Sequence, residues 1–164
     1  MTTGPKPPWR SLWCNNRISP RSVICLWEIL QNRLPNKDRP VKWGLQCDPS
    51  YVLCQHGDED RDRLFSACSY IQDIYLHVKV YVRDFCWPAF FHDAVQIMSR
   101  MSKRKKSKSS LFPMIWTEML CQTWLQRNVR VFGDQGLPAK LVAHSILFMV
   151  AARLDDSCKK WLIV

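Results

Sequence analysis

Glycine is scarce in this chain, five residues in 164, and no Gly-x-x-x-x-Gly-Lys run occurs among them. A phosphate-cradling loop needs several glycines so that backbone amides can approach the ligand, so nucleotide hydrolysis of that kind is excluded. Long apolar runs are missing as well. The longest, Ile146 to Ala152, falls far short of the roughly 20 residues that cross a bilayer, and no membrane association is expected. The opening residues, Met1-Thr2-Thr3-Gly4-Pro5-Lys6-Pro7-Pro8, lack the apolar stretch of a secretory signal. Acidic side chains are outnumbered, fourteen Asp and Glu against 24 Lys and Arg, for a net charge of +10. That balance favours anionic partners such as RNA or DNA, held weakly and in a salt-dependent way. His77, His92 and His144 have no Ser or Cys at a diagnostic spacing. Leu154-Asp155-Asp156 reads as the solvated end of a helix rather than a metal-binding strand turn. Neither catalysis nor a small-molecule substrate is expected.

What is present is mostly helical periodicity. Residues 1–8 are Pro-rich and read as a disordered tail. Ser19 and Pro20 form an N-cap and first-position pair, after which Val23, Ile24, Trp27, Ile29, Leu30 and Leu34 run at helical spacing to Pro35. A further turn is expected over Asp38 to Trp43, ending at Gly44, and then a loop from Gln46 to Asp62. Ile71, Ile74, Tyr75, Val78 and Val82 describe a second helix beginning near Ser66, with strand as the lesser alternative for Val78 to Val82. Trp87, Phe90, Phe91, Val95 and Met98 describe a third after Pro88. The low-complexity run Lys103-Arg104-Lys105-Lys106-Ser107-Lys108 cannot bury itself and reads as a linker. Beyond it, Ile115, Trp116, Met119, Leu120, Trp124 and Val131 mark a long helix to about Phe132, Gly133 to Gly136 a turn, and Leu141, Val142, Ile146, Met149, Val150 and Leu154 a last helix behind Pro138. The fold class is mainly α: a small helical domain with an irregular knuckle loop over 9–82, a helix and basic linker over 83–110, and a C-terminal helical hairpin over 111–158. Most of the eight tryptophans fall on apolar stripes and are assigned to the core, and the eight cysteines read as reduced, intracellular thiols.

The stretch from Tyr51 to Cys68 carries the chemistry. It includes Tyr51, Cys54, Arg63-Leu64-Phe65 and Cys68, and it follows Trp9, Trp13, Ile18-Ser19-Pro20-Arg21, Trp27 and Asn32-Arg33-Leu34-Pro35-Asn36-Lys37-Asp38. Downstream lies Trp124-Leu125-Gln126-Arg127-Asn128-Val129-Arg130-Val131-Phe132. In order and spacing this resembles the reverse-transcriptase zinc-binding domain of plant LINE-type (non-LTR) retroelements, whose knuckle reads Cys-x2-Cys-x8-His-x4-Cys with Leu-Phe after the His. The resemblance implies a small α-helical accessory domain that binds zinc and engages nucleic acid beside a polymerase. On that pattern Cys54 and Cys68 stand at metal positions, while Tyr51 occupies the first cysteine and Arg63 the histidine.

Zinc takes thiolate, imidazole or carboxylate donors, and a guanidinium has no lone pair to give. A phenol is a poor replacement for a thiolate. Cys47 and His56 are legitimate ligands nearby, but the longer gap from Cys47 to Cys54 contains Pro49 and needs a different loop. Zinc is therefore expected to be absent or weak, and each exchange needs one transition in its codon, as in a decaying retroelement copy. The run Lys103, Arg104, Lys105, Lys106 and Lys108 is the nucleic-acid-contacting candidate, with nuclear import and a plain linker as the other readings. Two further readings stand beside the retroelement one: a metal-free helical protein-interaction module, and a gene remnant without a function.

Overall fold

The computed structural model describes residues 7–13, 17–34, 53, 60–104, 107–133 and 135–163. The expected turn over 38–43, Trp43 and most of the loop from 46 to 59 lie outside them. Seven α-helices and one π-turn make up the described chain. They are α1 (Arg10–Trp13), α2 (Pro20–Leu30), the π-turn (Arg63–Ala67), α3 (Ser69–Tyr81), α4 (Phe91–Ser102), α5 (Ser107–Val131), α6 (Ala139–Ala151) and α7 (Asp156–Lys159). No strand occurs among the described residues. The region of Val78 to Val82 ends α3, and its only β character is an isolated bridge between Val82 and Leu162.

Helix α2 begins where its sequence predicts but ends at Leu30, before the expected Pro35. The Ser19 hydroxyl accepts the Ser22 amide at 3.1 Å, and Pro20 fills the first helical position, where its missing N–H costs nothing. At the other end Asn32 takes a left-handed conformation, φ 51°. Its amide reaches the Ile29 carbonyl at 3.0 Å, and the Arg33 amide the Glu28 carbonyl at 2.8 Å. These are the two bonds of a Schellman stop, in which Asn is the usual substitute for Gly. The buried face of α2 differs from the expected stripe. Ser22, Cys25, Leu26 and Ile29 are buried, whereas Ile24 is 61% exposed. The reason is the partner: α2 lies on α5, where the Ser22 hydroxyl donates to the buried Glu118 carboxylate at 2.6 Å. Cys25 meets Cys121 there. The hydrogen bond between the two thiols, reinforced by burial, holds Cys25 protonated above the usual thiol range. A polar and thiol stripe is invisible to a count of apolar residues.

Helix α5 is the central element. It starts at Ser107, inside the stretch read as linker, and its 25 residues span about 37 Å at 1.5 Å per residue. Every residue from Leu111 to Cys121 is buried, so this segment is covered on all sides, as a core helix must be. Pro113 lies within the helix, in its second turn, and removes the amide that would otherwise bond the Ser109 carbonyl. Around α5 pack α2, α3, α4, α6 and α7, with α6 also lying along α3 and α1 along α4. One continuous hydrophobic cluster runs from Leu12 to Cys158, so the hairpin of α5 and α6 shares its core with the N-terminal helices.

The end of the chain is stitched back to its beginning. Asp155 does not close α6; it caps α7, accepting the Cys158 amide at 3.1 Å, and its carboxylate holds Arg17 at 2.6 Å. The hydroxyl of Ser157 and the groups of Cys158 keep the Asp155 carboxyl below the usual carboxylate range. No described helix is long and apolar enough to cross a membrane.

Candidate functional site

Two of the four knuckle positions are described, and a wide turn defines their relation. Arg63 opens the π-turn and Cys68 closes it, the Cys68 amide donating to the Arg63 carbonyl at 2.9 Å, five residues back. The Asp60 carboxylate accepts the Arg63 amide at 2.8 Å, the Ser66 hydroxyl donates to the Asp62 carbonyl, and the Gln72 amide donates to the Ser66 carbonyl. Leu64 and Phe65 drive the turn into the core. The Phe65 ring lies 6.0 Å from Phe91, which lies 6.2 Å from Trp116 on α5. The Leu-Phe pair after position 63 is thus the anchor that fixes the geometry of positions 63 and 68. Cys68, 2% exposed, precedes the first residue of α3, whereas the Arg63 side chain is exposed. Its guanidinium has no electron pair for a metal, so the donor chemistry at this end of the turn does not fit zinc. Among the described residues no group of three His, Cys, Asp or Glu side chains is placed to hold a metal ion. Tyr51, Cys54, Cys47 and His56 lie outside the described residues.

One residue inside that loop is described, and it shows how the loop is tied down. Leu53 is buried, and its carbonyl accepts Arg130 Nη1 at 3.3 Å. The same guanidinium stacks 4.5 Å from the Tyr70 ring centroid and reaches the Leu137 carbonyl at 3.5 Å. That carbonyl also accepts the Tyr70 hydroxyl at 2.6 Å. The Leu137 amide donates to Gln126 Oε1 at 2.7 Å. The downstream Trp-x-x-Arg-Asn-x-Arg segment is therefore structural here. Arg127 packs over Trp124 at 4.9 Å and bonds Asn128, and Arg130 joins the knuckle loop to α3 and to the turn after α5.

Of the basic run, Lys103 caps the C-terminus of α4 and Arg104 follows it, both exposed. Lys105 and Lys106 lie outside the described residues, and Lys108 falls in the first turn of α5. Of these only Lys103 lines a groove of about 520 Å³, together with Arg100, one turn before it, and Arg61, just before the π-turn. Trp9, Leu30, Phe91 and Val95 give it apolar walls, and His92 and Gln96 its polar rim, with Gln96 Nε2 2.7 Å from His92 Nε2. Arg61 lies 5.0 Å from the Phe91 ring centroid and pairs with Asp62 at 2.7 Å. Under the floor lies the Ser99 hydroxyl, buried and with no hydrogen-bond partner among the described residues.

With the turn and its anchor placed, a comparison with known families bears on the N-terminal part. Residues 1–75 match the family described as zinc-binding in reverse transcriptase. The reverse-transcriptase zinc-binding match thus covers α1, α2, the knuckle and the first half of α3, and stops before the groove-forming helix α4. No curated protein and no solved structure matches the chain. Of the cations that line the groove, the sequence singles out Lys103 alone. Arg61 and Arg100 are far apart in sequence, and no spacing rule joins them.

Proposed function

We propose that this chain is a non-catalytic accessory domain from the reverse-transcriptase open reading frame of a plant LINE-type retroelement, a decayed copy whose role is nucleic-acid engagement. The observation that carries the reading is the zinc-binding family match over residues 1–75, with positions 63 and 68 of the knuckle at the two ends of one turn. In this copy Tyr51 and Arg63 stand at two of the four ligand positions, and zinc is lost or held weakly by Cys54 and Cys68. Structural zinc in such small sites contributes on the order of 10 kcal/mol to folding. Here the Leu64 and Phe65 anchor and the Arg130 tie carry the fold instead.

The nucleic-acid role rests on the net charge of +10 and on the exposed cations at the end of α4. Its test is binding of a fluorescent single-stranded RNA across a salt series. An association constant that falls steeply between 50 and 200 mM salt supports the reading, each phosphate contact contributing about 0.7 to the log–log slope. Binding without salt dependence contradicts it. A metal-free interaction module is the second reading, favoured by the exposed Leu76 and Val80 on α3 and Leu141 and Phe148 on α6. It predicts association that is insensitive to salt and is abolished by Phe148→Ser.

A further inference from the structure

We infer that the groove between the residues leading into α1, the end of α2, the residues leading into the π-turn, and α4 is the seat of a single-stranded nucleic acid, its phosphates held by Arg61, Arg100 and Lys103 and one unpaired base lodged against Trp9 and His92. The inference rests on the nucleic-acid reading above and gives it a place and a strand preference.

Charge comes first. Three cations line the groove against one carboxylate, Asp62, which is already engaged by Arg61 at 2.7 Å. Arg100 and Lys103 are three apart on α4 and so lie on one face of it. The C-terminal end of a helix carries roughly half a negative charge, which opposes a phosphate, but two full positive charges at that same end outweigh it. A run of surface lysines alone would bind either form of nucleic acid, because it sees only phosphates.

The walls decide between the two forms. A base inside a duplex has both faces covered by its neighbours, whereas an unpaired base has a free π-face that stacks on aromatic rings or on a guanidinium plane. Trp9 is half-buried at the edge of the core, and His92 is exposed. Arg61, which also lines the groove, lies over the buried Phe91 ring at 5.0 Å. The Gln96 side chain, bonded to His92, can present both a donor and an acceptor to a base edge. The volume of about 520 Å³ falls within the range of about 300–1,000 Å³ usual for small-ligand sites. It is concave rather than flat, and a stacked base pair cannot present its face to it.

The experiment is fluorescence anisotropy on the full chain with a labelled oligouridylate of about eight nucleotides, competed by a blunt RNA duplex. Variants are Arg100→Glu with Lys103→Glu in the groove, Lys140→Glu with Arg153→Glu as an equal charge change on exposed α6-side residues outside it, Trp9→Ala, and Trp9→Phe. Circular dichroism confirms that each is folded. The groove pair is expected to weaken binding at least tenfold and to lower the log–log salt slope by about 1.4, twice the single-strand value per contact. The control pair should change affinity less than threefold. Trp9→Ala should weaken binding about fivefold or more, Trp9→Phe should restore most of it, and the duplex should compete poorly. Parent protein that binds while the groove variants bind equally well would overturn the inference and leave the nucleic-acid reading standing. Equal affinity for the duplex would overturn the strand assignment. A parent that binds no nucleic acid at any salt concentration would overturn both.

Discussion

At Arg130 three constraints meet in one side chain: a ring beneath it, a loop carbonyl on one side and a turn carbonyl on the other. Lysine keeps the charge but can neither stack a plane on Tyr70 nor fork to two carbonyls, so Arg130→Lys is expected to cost about 1–2 kcal/mol in urea unfolding. Beside it, Gly136 adopts φ 67°, and a Cβ there would come within 3.0 Å of Arg130 Nε and Gln126 Oε1. Left-handed backbone costs a non-glycine residue about 1–2 kcal/mol, and the crowding adds to it. Gly136→Ala should therefore destabilise by about 2 kcal/mol, read by the same denaturation. Tyr70 gives a pH signature. Burial pushes its phenol up to about 12, although the Arg130 charge pulls the other way. A raised folded-state value means that the stabilisation is complete below pH 10 and is lost as pH rises from 10 toward 12. Urea midpoints for the parent should fall over that window by more than those of Tyr70→Phe, with a difference on the order of 2 kcal/mol at its upper end. At this scale the sequence was informative where chemistry is local, as at Ser19 and Pro20, but it missed the stop at Asn32, where the helix ends short of the expected Pro35. It was silent about Arg130, whose three partners come from positions 53, 70 and 137.

Among the elements, the π-turn is the one whose form follows least from propensity and most from anchoring. Arg63-Leu64-Phe65-Ser66-Ala67 would continue α3 as an ordinary helix if its two apolar side chains did not have to reach the core. Phe65→Ala removes the ring that contacts Phe91 and is expected to cost about 3–5 kcal/mol, measured by chemical denaturation. The helices α3, α4 and α6 were legible from their stripes because their partners are apolar: Ile71, Ile74 and Val78, then Phe91, Val95 and Met98, then Val142, Ile146 and Val150 are all buried. The stripe of α2 was misread because its buried face contains Ser22 and Cys25, which meet Glu118 and Cys121. The start of α5 was misread because basic residues and Pro113 both signal interruption, yet Leu111 and Phe112 are buried and draw the preceding turns into the helix. Val131 and Phe132, by contrast, were assigned to a stripe that has already left the core, and Phe132 is 86% exposed.

For the molecule as a whole, one core joins the segment matched by the family to the helices after it. α5 contacts α2, α3, α4, α6 and α7, and the final residues return to α3, where Ile163 donates to the Tyr81 carbonyl at 2.8 Å. The described residues of both halves share one continuous hydrophobic cluster, and on the reading proposed above that cluster holds the fold without zinc. The spacing of Tyr51, Cys54, Arg63 and Cys68 was legible in the sequence because a knuckle is a local pattern. The groove was not, since its lining comes from residues 8–9, 30, 61–62 and 91–103. The most direct test of the account is zinc stoichiometry by native mass spectrometry under reducing conditions, for the parent chain and for Tyr51→Cys combined with Arg63→His. The account predicts no zinc in the parent and one zinc in the double variant. One zinc already bound to the parent would contradict it and assign the site to Cys47 and His56 with Cys54 and Cys68.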